Sequence, residues 1–274
     1  MLTVLNQAKH DDYIVLELSS FQLQDMTTSP DIAVIVDVFP DHLDAHTNVA
    51  EYYRAKARIG LYQKRFDKIF FFANNPAGTR IASLSKAKKY PVMPRENNLM
   101  KNRQMASAVS RACGVSKKVI DATLAKFKGT PHRLEFVRRI SPGIDFYNDS
   151  AATNPIATAA AITSFTAPII LIAGGREKGL SHTPLADALK KSTVSDIILY
   201  GENKNLLARS LKQYTLCTVR FAKNLPAAVA IAYDRARSLK KPCVVLLSPA
   251  STSFDQFQNY KERGELFKKI VRNL

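Results

Sequence analysis

The sequence predicts an α/β fold with two domains, and three observations support this prediction. The chain has 274 residues and is 46% apolar, which is enough for a buried core and more natural for two domains than for one. Short apolar runs alternate with segments of helical periodicity, as is typical of sheets covered by helices. A Gly-Thr-Pro break at residues 129–131 divides the chain, so we predict domains at 1–130 and 131–274.

In the first domain, the predicted strands are continuous apolar runs, which suit a sheet covered on both faces. They are YIVLEL (13–18), IAVIVDV (32–38) and KIFFF (68–72). Helical periodicity predicts a helix at 48–64 and two more between 98 and 127. The Cys113-Gly114 break separates these two, and Ser116 is the expected N-cap of the second.

In the second domain, strands and helices alternate regularly. Strands are predicted at 134–139, 144–148, 168–174, 196–201 and 242–248, and helices from Pro155, Pro184, Asn203, Leu225 and about Ser253. This order predicts a mostly parallel, Rossmann-like sheet with right-handed crossovers. Ligands bind such sheets at the carboxyl ends of the strands. The informative loops are therefore NDSAATN (148–154), GGREKGLSH (174–182) and SPASTSFDQF (248–257).

Charge, cysteine content and hydropathy exclude several classes of protein. The net charge of +17 is spread along predicted helix faces without an RNA- or DNA-binding motif, which favours solvated faces and anionic small substrates over a specific nucleic acid. The three cysteines form no CxxC pair, so we expect reduced thiols. No apolar run approaches the roughly 20 residues of a membrane span, and no secretory signal is visible. We predict a cytosolic protein without membrane insertion.

Two polar positions follow the first two predicted strands. Glu17 lies where an apolar strand meets a Ser-Ser turn, so its carboxylate either contacts a metal or phosphate or caps the turn. His42 lies between Asp41 and Asp44 after the second strand. A single histidine is usually structural, and this one gains interest from the acidic residue at the preceding strand end.

Lys56 lies on the apolar face of its predicted helix, with Val49, Tyr52 and Ile59. One interpretation is a lysine whose stem is buried and whose ammonium reaches water. The other is a desolvated lysine with a lowered pKa, which can react with carbon dioxide to form a carbamate. A carbamate is an anionic metal ligand, so the two interpretations differ in function.

These residues carry a resemblance to the Mur ligases. The segments VLELSSFQLQ (15–24), DVFPDHLDAH (37–46) and EYYRAKARI (51–59) resemble the part of these enzymes that binds magnesium and ATP phosphates. The resemblance implies that residues 1–130 are part of a Mur-ligase central ATPase domain. It also implies that Glu17, His42 and Lys56 are catalytic and hold Mg²⁺, with Lys56 as a carbamate, and that Ser19 lies near the phosphates.

The same resemblance extends through the rest of the chain. NNLMKNRQMA (97–106), GTPHRLE (129–135) and NDSAATN imply ATP contacts by Asn102, Arg133 and Asp149. The Rossmann-like C-terminal domain is then the amino-acid-binding part. Its D-glutamate-binding residues would be Thr153, Lys178, Ser253, Phe254 and Tyr260. The motif SPASTSFDQF resembles the D-glutamate-adding branch of the family.

The resemblance implies an activity: ATP-dependent ligation of D-glutamate to UDP-N-acetylmuramoyl-L-alanine through an acyl phosphate, in peptidoglycan precursor synthesis. The chain departs from the family in three ways. It contains no GxxxxGK[ST] phosphate loop, the UDP-binding domain is absent, and Ala151 stands where lysine is common. We therefore expect the isolated chain to lack turnover, with an N-terminal portion missing.

Three origins of this departure remain open: a truncated gene, a split enzyme, and a repurposed remnant. The alternative function is a non-catalytic module that binds nucleotide or amino acid. A nucleic-acid-binding protein is a third hypothesis, supported only by the net charge of +17.

Overall fold

The computed structural model describes residues 7–39, 48–94, 98–140, 143–212 and 217–274, with residues 98–100 described by their backbone alone. The chain forms two compact units, Met1–Leu124 and Ala125–Leu274. Each unit combines helices with a sheet, as the sequence predicted.

In its described part, the first unit contains a three-stranded parallel sheet in the order β1-β2-β3. The strands are β1 (Ile32–Ile35), β2 (Lys68–Phe72) and β3 (Lys88–Val92). The helices are α1 (Ser20–Gln24), α2 (Val49–Leu61), α3 (Pro76–Ser83), α4 (Asn98–Ala112) and α5 (Lys117–Lys126). Ile69 and Phe71 face one apolar cluster, and Phe70 and Phe72 face another. The alternation follows the two-residue period of a strand and confirms that β2 is covered on both faces.

The strand predicted at 13–18 is wrong. These residues form no regular element, and Val15 is 93% exposed. An apolar run becomes a strand only where a neighbouring strand pairs with its backbone. Among the described residues, β1 pairs with β2 alone, and segment 13–18 has no strand partner. The second predicted strand is also shorter than 32–38, because its pairing with β2 stops at Ile35.

Three elements of the first unit were not predicted: β3, α1 and α3. β3 reads KKYPV and contains two lysines and a proline, which is the composition of an edge strand. α1 has only five residues. The N-cap of α3 is Asn75, whose side chain accepts from the Gly78 backbone N–H at 2.7 Å. A proline follows in the first turn of the helix.

The second unit is built on a six-stranded sheet in the order β4-β5-β9-β6-β7-β8. β4 is antiparallel to β5, and all other neighbours are parallel. The strands are β4 (Glu135–Ile140), β5 (Ile144–Asn148), β6 (Ile169–Gly174), β7 (Val194–Tyr200), β8 (Thr218–Phe221) and β9 (Cys243–Leu247). β8 was not predicted. The mostly parallel sheet predicted from the sequence is confirmed.

Five helices cover this sheet in the described part of the unit. They are α6 (Pro155–Ile162), α7 (Thr183–Lys190), α8 (Lys204–Lys212), α9 (Leu225–Ser238) and α10 (Tyr260–Arg272). α10 begins at Tyr260 and not near Ser253, because Asn259 caps it by accepting from the backbone N–H groups of Lys261 and Glu262, both at 3.0 Å. The segment from Ser248 to Gln258 is therefore a loop over most of its length.

The strand order positions the candidate site. β9 lies between β5 and β6, and all three are parallel. Their carboxyl ends therefore meet at one edge of the sheet. The three loops selected from the sequence follow these three strands and lie side by side. No helix in the described residues combines the length and the apolar character that crossing a membrane requires.

Candidate functional site

The loops after β6 and β9 are joined by their backbones. The Arg176 N–H donates to the Thr252 carbonyl at 3.0 Å, and the Thr252 N–H donates to the Arg176 carbonyl at 3.2 Å. The loop after β5 is attached to the end of β9, because the Asp149 N–H donates to the Leu247 carbonyl at 2.7 Å. The three loops thus form one connected surface.

Two glycines allow this close approach. Gly174 has a φ of +124° and Gly175 a φ of +150°. A Cβ atom at Gly174 would lie 1.9 Å from the Tyr200 carbonyl oxygen, and a Cβ at Gly175 would lie 2.0 Å from the Thr252 carbonyl oxygen. No other residue fits these positions. Gly174 is therefore required by its packing against the end of β7, and Gly175 by its packing against the loop after β9.

Asp149 is a buried carboxylate in the loop after β5. Its Oδ1 accepts from the Leu134 N–H at 3.1 Å, and its Oδ2 accepts from the Ser248 hydroxyl at 2.8 Å. Burial raises its pKa to about 7, and the Ser248 hydroxyl, the Leu134 N–H and the charge of Arg133 offset part of that rise. Asp149 is therefore a carboxyl group that changes charge near neutral pH.

A fixed turn before β4 carries Arg133. His132 and Leu134, which flank it, have φ values of +63° and +43°. The His132 ring is buried, and its Nδ1 lies 2.9 Å from the Asn148 side-chain nitrogen. Burial lowers the pKa of His132, and the charge of Lys268 lowers it further, so the neutral ring accepts from Asn148. Arg133 itself is exposed at the centre of this turn.

The predicted D-glutamate residues come from all three loops and from the start of α10. Ser253 is buried, Thr153, Lys178 and Tyr260 are half-buried, and Phe254 is 58% exposed. Their loops are neighbours at the sheet edge, so the second unit brings hydroxyl, ammonium and aromatic groups to one region. Charged and hydroxyl donors of this kind suit a small carboxylate ligand.

Sequence reasoning missed Asn203 and Glu177, which brace this region. Asn203 accepts from the Gly175 N–H at 3.1 Å, and its side-chain nitrogen donates to the Ser251 hydroxyl at 2.8 Å and to Glu177 at 3.1 Å. Burial alone would raise the pKa of Glu177, but donors from Asn203 and from the backbone outweigh burial and lower it. Asn203 follows β7, so the strand-end rule applied to a fourth strand would have found it.

The first unit holds the remaining predicted residues. Glu17 is exposed and lies outside any strand, and Lys56 is half-buried on α2 with its Nζ 5.9 Å from the Tyr52 ring centroid. Ser19 caps α1: its hydroxyl accepts from the Gln22 N–H at 3.3 Å. The N-cap of this helix is therefore Ser19 and not Glu17.

His42 and Asn102 are the other two predicted residues of this unit. His42 lies outside the described residues. Asn102 is exposed on α4, beside Lys101, whose Nζ forms a 2.5 Å ion pair with Asp37. That ion pair fixes the first part of α4 to the chain after β1.

The described residues do not by themselves form a divalent-cation site. Within them, no group of three or more His, Cys, Asp or Glu side chains could hold a metal ion. Of the predicted ligands, Glu17 supplies a carboxylate, but an unmodified Lys56 ammonium cannot coordinate a cation. Lys56 could join a cation site only after carbamylation.

Comparison with protein families gives two matches in chain order. Residues 1–123 match the Mur ligase middle domain, and residues 132–251 match the Mur ligase glutamate ligase domain. Together the two matches cover most of the chain. These two matches identify the class of protein: the chain belongs to the Mur ligase family of ATP-dependent ligases.

Two D-glutamate ligases are similar to this chain over nearly its whole length. The chain is 34% identical to the UDP-N-acetylmuramoylalanine–D-glutamate ligase of Thermoanaerobacter sp. (strain X514), over 100% of this chain and 67% of the relative. It is 35% identical to the enzyme of that name from Latilactobacillus sakei, over 99% of this chain and 65% of the relative. The chain thus spans about two thirds of the length of these relatives.

Solved structures share the fold at lower identity. The MurF ligase of Thermotoga maritima, solved in complex with ADP, matches with a TM-score of 0.62 at 18% identity, over 89% of this chain and 63% of that one. MurF from Acinetobacter baumannii matches with a TM-score of 0.63 at 15% identity, over 88% of this chain and 60% of that one. A folylpolyglutamate synthase from Yersinia pestis, solved with AMPPNP and a Mn ion, matches with a TM-score of 0.59 at 14% identity, over 88% and 62%.

Proposed function

We propose that this chain is the nucleotide- and D-glutamate-binding portion of an ATP-dependent ligase. The reaction joins D-glutamate to UDP-N-acetylmuramoyl-L-alanine through an acyl phosphate, in peptidoglycan precursor synthesis. One observation carries the proposal: the loops after β5, β6 and β9 lie at one sheet edge and bring Asp149, Lys178 and Ser253 to one region. The curated relatives, which align over the whole chain, carry that activity in their names.

The proposed nucleotide contacts are Ser19 and Asn102 in the first unit and Arg133 and Asp149 in the second. Each oxygen of Asp149 accepts one hydrogen bond in the structure, so each has capacity for a second bond from a ligand hydroxyl. Arg133 is held on a fixed turn and is exposed, which suits a charge-assisted contact with a phosphate. The ADP complex of a structurally similar ligase supports a nucleotide in this fold.

D-Glutamate would be bound by Thr153, Lys178, Ser253, Phe254 and Tyr260. The ammonium of Lys178 and the hydroxyls of Thr153 and Ser253 would bind its carboxylates. Phe254 and Tyr260 would cover its methylene groups. The buried position of Ser253 supports a bound carboxylate shielded from water, where such bonds are strongest.

The proposed cation is Mg²⁺, with Glu17, His42 and carbamylated Lys56 as its ligands. When bound, it would neutralise charge on the phosphates during transfer. The Mn ion in a structurally similar synthase supports a divalent cation in this fold. We further propose that the functional boundary between domains lies at 130/131, as the sequence predicted, and that the protein acts in the cytosol.

Phosphate transfer needs a phosphate-binding loop, and no GxxxxGK[ST] motif occurs in the 274 residues. We therefore propose that this polypeptide alone binds ligands without turnover. The second candidate function is a non-catalytic module that binds nucleotide or amino acid.

A phosphate-release assay with ATP, Mg²⁺, D-glutamate and UDP-N-acetylmuramoyl-L-alanine tests this expectation, alongside calorimetric titration with ATP. We expect ATP binding and no phosphate above background. Steady phosphate release by the polypeptide alone would contradict the second part. An absence of ATP binding would contradict the first.

A further inference from the structure

Arg263 links two loops of the candidate site, those after β5 and β9. It lies in the first turns of α10 and is 0% exposed. Its Nε donates to the Ser150 hydroxyl at 2.9 Å and its Nη2 to the Ser150 carbonyl at 2.9 Å. Nη1 and Nη2 both donate to the Ser251 carbonyl at 3.1 Å, and Nη1 donates to the Thr252 carbonyl at 3.2 Å. All five side-chain hydrogen bonds end on two loops.

Those two loops carry different parts of the site. Ser150 follows Asp149 in the loop after β5, and Ser251 and Thr252 precede Ser253 in the loop after β9. The Ser150 hydroxyl also donates to the Tyr260 carbonyl at 2.8 Å, so the start of α10 belongs to the same network. The planar guanidinium therefore links the two loops, in addition to the Asp149–Leu247 backbone bond and the Ser248–Asp149 side-chain bond.

Among the described residues, no carboxylate lies within ion-pair distance of the guanidinium, and the charge of Asp255 acts on it from farther away. Its hydrogen bonds go to three carbonyl groups and one hydroxyl, and burial lowers its pKa from the ordinary value. A buried cation whose hydrogen bonds all go to neutral groups costs stability that apolar packing would avoid. Arginine at this position is therefore better explained by the geometry of the loops than by stability.

We propose that Arg263 is a positioning residue that fixes the loops after β5 and β9 at the separation needed to bind the amino acid. The inference rests on the proposed D-glutamate site. Arg263 itself does not contact the ligand and acts through Ser150, Ser251 and Thr252. A lysine keeps the charge but cannot reproduce the fork of donors.

The full chain with Arg263→Lys tests the proposal by calorimetric titration with D-glutamate. We expect the dissociation constant to rise about tenfold or more. The matched control is Val271→Ala, on the same helix and buried in the core. It should lower stability yet keep the wild-type affinity, provided that both variants are titrated where they are folded. Unchanged affinity in Arg263→Lys, or an equal loss in Val271→Ala, would overturn the proposal.

Hydrogen-exchange measurements test the positioning role of Arg263 independently of whether the chain binds D-glutamate. The Ala152 N–H donates to the Asp149 carbonyl in one loop, and the Thr252 N–H donates to the Arg176 carbonyl in the other. Arg263→Lys should speed exchange at both amides together, whereas Val271→Ala should not single them out. Faster exchange in only one loop, or in neither, would overturn the positioning role even if the wild-type chain binds no D-glutamate. That lack of binding would contradict the proposed function alone.

A second variant covers the case in which Arg263→Lys does not fold. Ser150→Ala removes the hydroxyl that accepts from Nε and donates to Tyr260 but leaves the carbonyl bonds of the guanidinium. We expect a smaller, few-fold loss of D-glutamate affinity with faster exchange at Ala152. Wild-type affinity and exchange in Ser150→Ala would overturn the proposal.

Discussion

At the scale of single residues, Asp149 has a charge state that depends on burial. Its pKa is about 7 in the fold, against an ordinary value of 3.8. Between these two values the folded chain retains a proton that the unfolded chain releases. Rising pH therefore favours unfolding across this range, by up to about 1.4 kcal/mol per pH unit, and the effect levels off above pH 7.

Asp149→Asn should remove this pH dependence. An asparagine can still accept from Leu134 through its oxygen, and its amide can donate to the Ser248 hydroxyl. We expect the variant to gain stability relative to the wild-type chain as the pH rises from 5 to 7. Urea unfolding followed by circular dichroism at both pH values measures the difference. A constant difference would show that Asp149 ionises normally in the fold.

Where a motif and a strand end coincide, the predicted residues lie at the expected edge of the sheet. Asp149 and Ser253 were predicted from loops that follow strands, and both are buried in the structure. Arg263 was not predicted, because its role depends on carbonyl groups more than ten residues away on one loop and more than one hundred on the other. No local pattern encodes such contacts. Every residue has a backbone carbonyl, so the sequence does not indicate which carbonyls accept from Arg263. In the sequence, this arginine cannot be distinguished from an exposed charged residue on a helix.

At the scale of elements, the contact between the loops after β6 and β9 depends on Gly175. Gly175→Ala would place a Cβ atom 2.0 Å from the Thr252 carbonyl oxygen, at a φ of +150°. The Arg176–Thr252 backbone bridge would have to open. We expect a loss of about 3 kcal/mol or more in the free energy of unfolding, measured by urea denaturation.

Gly179→Ala is the matched control in the same loop. Gly179 also has a positive φ, +68°, but a Cβ atom added there would have no other atom within 4 Å. Only the backbone strain remains, which costs about 1 kcal/mol. Equal losses for the two variants would mean that the close packing of the loops does not contribute to stability.

The elements themselves show where sequence patterns suffice. β6, β7 and β9 are apolar and buried, and each was predicted to within a few residues because burial on both faces gives a continuous apolar run. Segment 13–18 is also mostly apolar, but residues 13–17 are exposed. β6, β7 and β9 pair with neighbouring strands and segment 13–18 does not, among the described residues. Composition alone does not predict which segments find a strand partner. The start of α10 was misplaced because Asn259 is a cap and the serines before it belong to a loop.

At the scale of the whole molecule, two α/β units match two successive domains of one ligase family. The second unit contains the candidate ligand site, in the loops after β5, β6 and β9. The first unit supplies Asn102, Ser19, Glu17 and Lys56 as proposed contacts. The net charge of +17 would favour the approach of anionic substrates such as nucleotides and dicarboxylates.

The function proposed for this chain depends above all on an amino-acid site in the strand-end loops of the second unit. Calorimetric titration of the full chain with D-glutamate, repeated with Lys178→Met and with Lys269→Met, an exposed lysine on α10, tests for that site. We predict binding that Lys178→Met weakens about tenfold or more, because a charge-assisted bond is lost, and that Lys269→Met leaves unchanged. No binding by the wild-type chain, or equal losses in both variants, would contradict an amino-acid site in these loops.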